Sequence, residues 1–259
     1  MSSLPELGTT HSAMRMPVDA APIKLQVLGP PIVSHRGDAE ARALLCEPRP
    51  LGLLVYLVTA HPRGMHARDA LLTLFWPDAD MAQARQGLRN ALHAIRHATG
   101  HDVLVSVGHS MLGVHSAYVH CDLLEFELEA ARGNCEIVNA APDVLLDGFH
   151  VAQAPAYDQW MEHERMRYRQ LLQRTLWQQA ERCFARGDGD RAVDAARRAQ
   201  ALDSGSERGL RRLVELLCAC GDRASALQTY EHFSARLRDD FGAAPSAATR
   251  ALVDLLRGS

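Results

Sequence analysis

The sequence predicts a mainly α-helical chain with a small β component, and three of its features carry that expectation. Residues 23–28 alternate apolar and polar side chains, as a half-buried strand does. Residues 103–114 read as two short strands around a Gly-His-Ser turn. Three stretches between these strands, and essentially everything from Asp122 onward, carry helical periodicity instead.

In chain order, Ile23-Lys24-Leu25-Gln26-Val27-Leu28 is the first strand, broken by Gly29-Pro30-Pro31. Residues 32–35 form a second short strand, ended by Gly37. A first helix is expected over 49–60, stopped by Pro62 and Gly64. A second covers 67–75 and ends at Trp76-Pro77-Asp78. Asp78 or Asp80 is placed to cap the third helix, over 81–99, and Gly100 sits just past its end. Val103-Leu104-Val105-Ser106-Val107 and Met111-Leu112-Gly113-Val114 then flank Gly108-His109-Ser110 as a hairpin. Strands, three helices and a hairpin in this order make a winged helix, and the helices joined by Trp76-Pro77-Asp78 are its helix-turn-helix.

The helical remainder contains a repeat. Gly187-Asp188 is followed by Ala192 and Ala196, and Gly221-Asp222 by Ala226 and Tyr230, an offset of 34 residues. That is the tetratricopeptide period. The glycine turns one helix sharply into its partner, and the small alanine lets the two approach closely. The expected organisation is therefore a disordered tail over 1–22, a winged helix over 23–121 and a tetratricopeptide-like all-α bundle over 122–259.

Composition bounds the function. The chain of 259 residues is 47 % hydrophobic and 23 % charged, ordinary for a soluble globular protein. No apolar run approaches the roughly 18 residues that span a membrane, and no basic segment leads into an apolar one at the N-terminus. A cytoplasmic protein is expected. The six cysteines form no Cys-x-x-Cys pair, which argues against a zinc ribbon or a thioredoxin-like site and for reduced thiols. The net charge is −3. Residues 23–121 hold nine Lys/Arg against seven Asp/Glu, and residues 122–259 hold eighteen against twenty-two. Any DNA binding must then come from local placement of arginines rather than from an overall field.

The third helix has such a placement. On a helical wheel Ala84, Leu88, Ala91, Leu92 and Ile95 make one apolar stripe. Gln86, Arg89, Asn90, His93 and His97 lie opposite, with Arg85 and Arg96 flanking the stripe. Arg bonds guanine O6 and N7 together, and Asn or Gln does the same to adenine N6 and N7. The N-terminal part of a recognition helix meets the bases. Gln86, Arg89, Asn90 and His93 are therefore the candidates for base reading, and Arg68, Arg85 and Arg96 for phosphates. The wing tip, His109 and Ser110, is placed to touch the minor groove or backbone. A solvated polar face on an ordinary amphipathic helix would show the same residue types.

Leu53-Leu54-Val55-Tyr56-Leu57, Ala67-Arg68-Asp69-Ala70-Leu71, Leu74-Phe75-Trp76-Pro77-Asp78 and Ala84-Arg85-Gln86-Gly87-Leu88-Arg89-Asn90-Ala91-Leu92 together resemble the OmpR-type winged helix of the Streptomyces antibiotic regulatory protein (SARP) family. The second half resembles the bacterial transcriptional activator domain of that family through Leu146-Asp147-Gly148-Phe149, Trp160 with Glu164-Arg165, Gly221-Asp222-Arg223-Ala224 with Ala226, Leu227 and Tyr230, and Phe241-Gly242-Ala243-Ala244-Pro245-Ser246. The resemblance implies promoter binding, often as a dimer on direct repeats, and activation by recruiting RNA polymerase. It implies that the helical bundle packs on the winged helix. The chain departs from the pattern where Arg49 stands between two prolines in place of a basic pair, at Ser204 in place of a proline, and over 138–142.

Other chemistries find less support. His93, His97 and His101 are four apart, but Gly100 should end the helix before His101 and no acidic or Cys ligand is near in sequence, so no metal or cofactor is expected. A histidine on a DNA-facing surface would instead tighten binding at about pH 6 relative to about pH 8. The sequence lacks Gly-x-Gly-x-x-Gly, a phosphate loop and a Gly-x-Ser-x-Gly elbow, so no enzyme is expected. Trp160 and Trp177 read as core anchors and Glu164-Arg165 as a structural pair. The competing reading is a scaffold whose winged helix no longer binds DNA and whose repeats hold a protein partner.

Overall fold

A computed structural model describes residues 23–35, 38–99 and 103–258. The expected tail, residues 1–22, lies outside them. Along the first half run β1 (Ile23–Gln26), β2 (Ile32–Ser34), α1 (Asp38–Leu45), α2 (Pro48–Thr59), β3 (His66–Ala67), α3 (Arg68–Phe75), α4 (Met81–Thr99), β4 (Leu104–Val107), β5 (Met111–Val114) and β6 (Val119–Cys121). Beyond these come α5 (Asp122–Ala131), α6 (Pro155–Ala185), α7 (Gly189–Leu202), α8 (Glu207–Ala219), α9 (Arg223–Phe241) and α10 (Ala247–Gly258). The described residues are mainly helical with two small sheets, ordered β2-β1-β6 and β3-β5-β4. Among the described residues no helix is long and apolar enough to cross a membrane.

β1 forms as its alternation predicts, with Ile23 and Leu25 buried and Lys24 and Gln26 exposed. Its neighbours are β2, antiparallel, and β6, parallel. β6 and β3 escape the sequence because strands of three and two residues are too short to show an alternation. Among the described residues four helices, not three, precede the hairpin. The additional one, α1, buries Ala41 and Leu44 and packs on α4. Its eight residues follow Gly37 so closely that they read as a loop after a strand.

α2 opens on Pro48 and Pro50, whose missing N–H groups fall in the first turn, where no intrahelical partner exists. It is buried nearly all round through Leu51, Leu53, Leu54, Val55, Leu57 and Val58, as befits a central helix. Gly52 brings this helix against the second half: a Cβ there would stand 2.8 Å from Val151 Cγ2 and 3.2 Å from the Tyr157 hydroxyl.

The repeat is realised as two helix pairs, α6 with α7 and α8 with α9. Gly187 and Gly221 turn the chain at φ +81° and +83°, a left-handed conformation that glycine adopts without strain. The aspartate after each accepts a hydrogen bond from a first-turn amide, Asp188 from Arg191 at 3.2 Å and Asp222 from Ser225 at 3.0 Å. Ala192, Ala196 and Ala226 are fully buried where the paired helices meet.

The two halves are stitched together. Asp122, first residue of α5, accepts from the Val27 and Leu28 amides at 2.9 and 3.1 Å. Leu146 N–H donates to Val27 O, and Gly29 N–H to Val144 O, both at 2.8 Å, so the end of β1 continues as pairing with the second half. Arg165 donates to the carbonyls of Leu145, Leu146 and Phe149 at 3.0, 2.7 and 3.1 Å. Arg165 does not pair with Glu164, because neighbours on a helix point apart. Glu164 turns instead to Arg167, 2.8 Å away, while Arg165 meets Glu162 at 2.6 Å. Aromatic rings fill the seam: Phe75 and Tyr157 lie 4.9 Å apart between centroids, and Tyr56 and Trp160 4.8 Å. Trp177 is buried, whereas Trp160 is only half-buried. The buried residues form one continuous core from β1 to α9.

Candidate nucleic-acid interface

α4 is an amphipathic helix of 19 residues. Asp80 caps it, its Oδ1 accepting from the Gln83 amide at 2.8 Å. Ala84, Leu88, Ala91, Leu92 and Ile95 face the core, each no more than 4 % exposed. Gln86, Arg89, Asn90 and His93 are exposed, as are Arg85, Arg96 and His97. The sequence thus assigns both faces of this helix to the sides the fold gives them.

Three of the exposed side chains hold one another. Arg89 Nη2 donates to Gln86 Oε1 at 2.5 Å, and Gln86 Nε2 donates to Asn90 Oδ1 at 2.7 Å. The Asn90 amide nitrogen and the Arg85 guanidinium have no hydrogen-bond or ion-pair partner among the described residues. A patch of donors thereby covers about one turn of helix, and such donors are satisfied only by water or by a ligand rich in acceptors.

The hairpin β4–β5 pairs Leu104 with Val114 and Val107 with Met111, and Gly108 takes φ +58° at its tip. His109 and Ser110 are exposed there. Arg68 is half-buried at the base of this wing. Its amide donates to Ser110 O at 2.8 Å and its Nη2 to Ser106 Oγ at 3.0 Å. One nitrogen of its guanidinium is thus already occupied within the fold. Acidic groups sit nearby too: Asp69, Asp78 and Asp80 are exposed around the turn between α3 and α4.

Gly87 explains how α4 is aimed. A Cβ at this position would lie 2.4 Å from Trp76 Nε1 and 2.6 Å from Trp76 Cε2. The indole of the α3–α4 turn therefore rests directly on the backbone of α4, between Gln86 and Leu88. A glycine inside an otherwise helical pattern carries that signal, because it costs helix propensity and so asks for a packing reason. Ser106, by contrast, carries no such signal in the sequence.

Arg49 does not line this surface. Its Nη2 donates to Ala152 O at 3.1 Å, a contact with the second half. His93 and His97 have ring centroids 6.5 Å apart, and His101 lies outside the described residues. Among the described residues no three His, Cys, Asp or Glu side chains converge as a metal site. All six cysteines are free, and burial pushes the Cys121 thiol up to about 12.

Residues 121–257 match the family model of the bacterial transcriptional activator domain. No curated protein matches the sequence. Among solved structures, "Mycobacterium tuberculosis EmbR in complex with low affinity phosphopeptide" shares the fold with a TM-score of 0.63 at 20 % identity. The likeness covers 90 % of this chain and 64 % of that one, so this chain spans somewhat less than two thirds of the length of its structural neighbour. The chain belongs to the bacterial transcriptional activator domain family.

Proposed function

We propose that the protein binds double-stranded promoter DNA through α4 and the β4–β5 wing, and regulates transcription from that position. The observation that carries the reading is the exposed donor face of α4, with Gln86, Arg89, Asn90 and His93 opposite a buried apolar stripe. These side chains match base edges in the major groove. Arg85 and Arg96 reach phosphates on either side, Arg68 adds a contact near the wing, and His109 and Ser110 meet the backbone or the minor groove. Promoter activation through RNA polymerase, and a dimer on direct repeats, enter this reading through the family resemblance. The winged helix spans 23–121 in this account and the activator domain 122–259.

A scaffold role is the second reading. It is favoured by Arg49, which bonds to Ala152 rather than standing free for a phosphate. Capture of fragmented genomic DNA by the purified protein, beside an Arg89→Ala, Asn90→Ala control, separates the two. A shared motif lost in the control supports base reading, and each bidentate contact is worth about 1–3 kcal/mol of discrimination. Affinity should also fall steeply with salt, since phosphate contacts release counterions. Absence of enrichment at low salt, with the protein folded, overturns DNA reading in favour of the scaffold.

A further inference from the structure

A cleft of about 710 Å³ opens between α6 and the start of α8, on the helical half and apart from α4. Its size falls in the range of small-molecule sites, roughly 300–1,000 Å³. Its lining is nearly all polar, with Trp177 the one large ring.

Three guanidiniums line it: Arg174 from α6, and Arg208 and Arg212 from α8. Arg212 is already placed, its Cζ 4.1 Å from the Trp177 ring centroid and its Nη2 2.7 Å from Glu181 Oε1. Arg174 and Arg208 are exposed and have no hydrogen bond or ion pair among the described residues. Asp203 at the lip and Glu181 offset part of this charge, and Glu181 is committed to Arg212. The cleft also takes in the first turn of α8, where Ser206 already caps the Gly209 amide at 3.2 Å and the Glu207 carboxylate is turned away to Ser246 and Thr249. Two unpaired guanidiniums from two different helices, in one cleft with glutamine amides, make a donor set suited to a compact anion with several acceptor oxygens.

We propose that this cleft binds a phosphate group, free or carried by a small monoester, held between Arg174 on α6 and Arg208 on α8. A bound phosphate would fasten α8 to α6, the same 31-residue helix whose first turns carry Tyr157 and Trp160 against the winged helix. The site stands or falls independently of DNA reading.

The test is isothermal titration of the full chain with phenyl phosphate, inorganic phosphate and, as a neutral control, benzyl alcohol. Both arginines are exposed, so Arg174→Gln with Arg208→Gln should retain the fold, which circular dichroism checks. Saturable binding of phenyl phosphate is expected, at least tenfold weaker in the double variant and unchanged in Arg85→Gln with Arg89→Gln. Tighter binding of phenyl phosphate than of inorganic phosphate would support the site with a monoester as the source, and equal affinity would support it with free phosphate as the source. Silence up to 10-millimolar phenyl phosphate, or binding that survives in the Arg174→Gln, Arg208→Gln variant and vanishes in the α4 variant, would overturn the site.

Discussion

Replacing Gly87 by alanine tests how α4 is held, because two opposed effects of known sign meet there. In an exposed helix interior Ala is favoured over Gly by about 1 kcal/mol. Against that, the new Cβ would stand 2.4 Å from Trp76 Nε1, far inside van der Waals contact. The indole has to retreat by about 1 Å or α4 has to move, and forced repacking of this kind costs about 1–3 kcal/mol. Gly87→Ala alone should therefore be destabilising by up to about 2 kcal/mol. At roughly 2–4 °C of Tm per kcal/mol for a chain of this size, that is a readable shift. In a Trp76→Ala background the obstacle is gone and only helix propensity remains, so the same substitution should become stabilising by about 1 kcal/mol. Urea unfolding of all four members of the cycle gives the answer. An unchanged sign of the Gly87→Ala effect in the two backgrounds would refute the packing argument.

Three further outcomes follow from side chains at the seam. Arg165→Met removes the charged donor from three carbonyls at once, and at about 1.5–3 kcal/mol per charged hydrogen bond, added incompletely, stability should fall by about 2–4 kcal/mol in urea unfolding. Arg165→Lys should recover less than half of it, since a single ammonium cannot reproduce the planar fork. Tyr157→Phe should be neutral or stabilising by about 1 kcal/mol, because the Tyr157 hydroxyl is buried without a partner among the described residues; a marked loss of stability would mean that the hydroxyl has a partner after all. Burial lowers the pKa of His66 below its ordinary value, and burial followed by the Arg167 and Arg63 charges lowers that of His61. Both contribute stability that is complete above about pH 6.5 and lost as pH falls through the folded values, because the unfolded chain takes up the protons first. Tm should decline on acidification below that point, and His66→Phe should flatten the decline; a decline of undiminished slope in that variant would remove His66 from the account.

Elements with a long period were legible in the sequence. α4 repeats its apolar residues over about four turns, and α7 and α9 announce themselves by Gly-Asp pairs 34 residues apart. β3 and β6 were not legible, because each owes its strand conformation to a partner distant in sequence, β5 in one case and β1 in the other. The exposed and buried sides of α4 could be read from its periodicity, but the hydrogen-bonded order of Arg89, Gln86 and Asn90 depends on rotamers that no pattern specifies. Arg68 shows the same limit. Its residue type suits a phosphate, while its place on the first turn of α3 puts it within reach of Ser106. Glu164 and Arg165 are adjacent in sequence and part ways on α6, Glu164 toward Arg167 on the same helix and Arg165 toward the Leu145 carbonyl.

The point at which one half of the sequence pattern gives way to the other, between Cys121 and Asp122, is not a break in the folded chain. Cys121 ends the strand beside β1, and Asp122 holds the amides of Val27 and Leu28 at the end of that same strand. The backbone of β1 then continues into hydrogen bonds with Val144 and Leu146. Cutting the chain there would strip these partners from β1 and lay bare Tyr56 and Phe75, whose contacts with Trp160 and Tyr157 are each worth about 0.5–1.5 kcal/mol beyond the area they bury. One core with such cross-stitching should unfold as one unit. Differential scanning calorimetry of the full chain should show a single transition whose calorimetric and van't Hoff enthalpies agree, and residues 23–121 alone should melt at a much lower temperature. Two resolved transitions, with the isolated segment reproducing one of them, would show that the halves fold independently. A single transition would mean that any change in how α6 sits is felt by α2 and α3, and through the Trp76 contact by α4, without a hinge between the two halves.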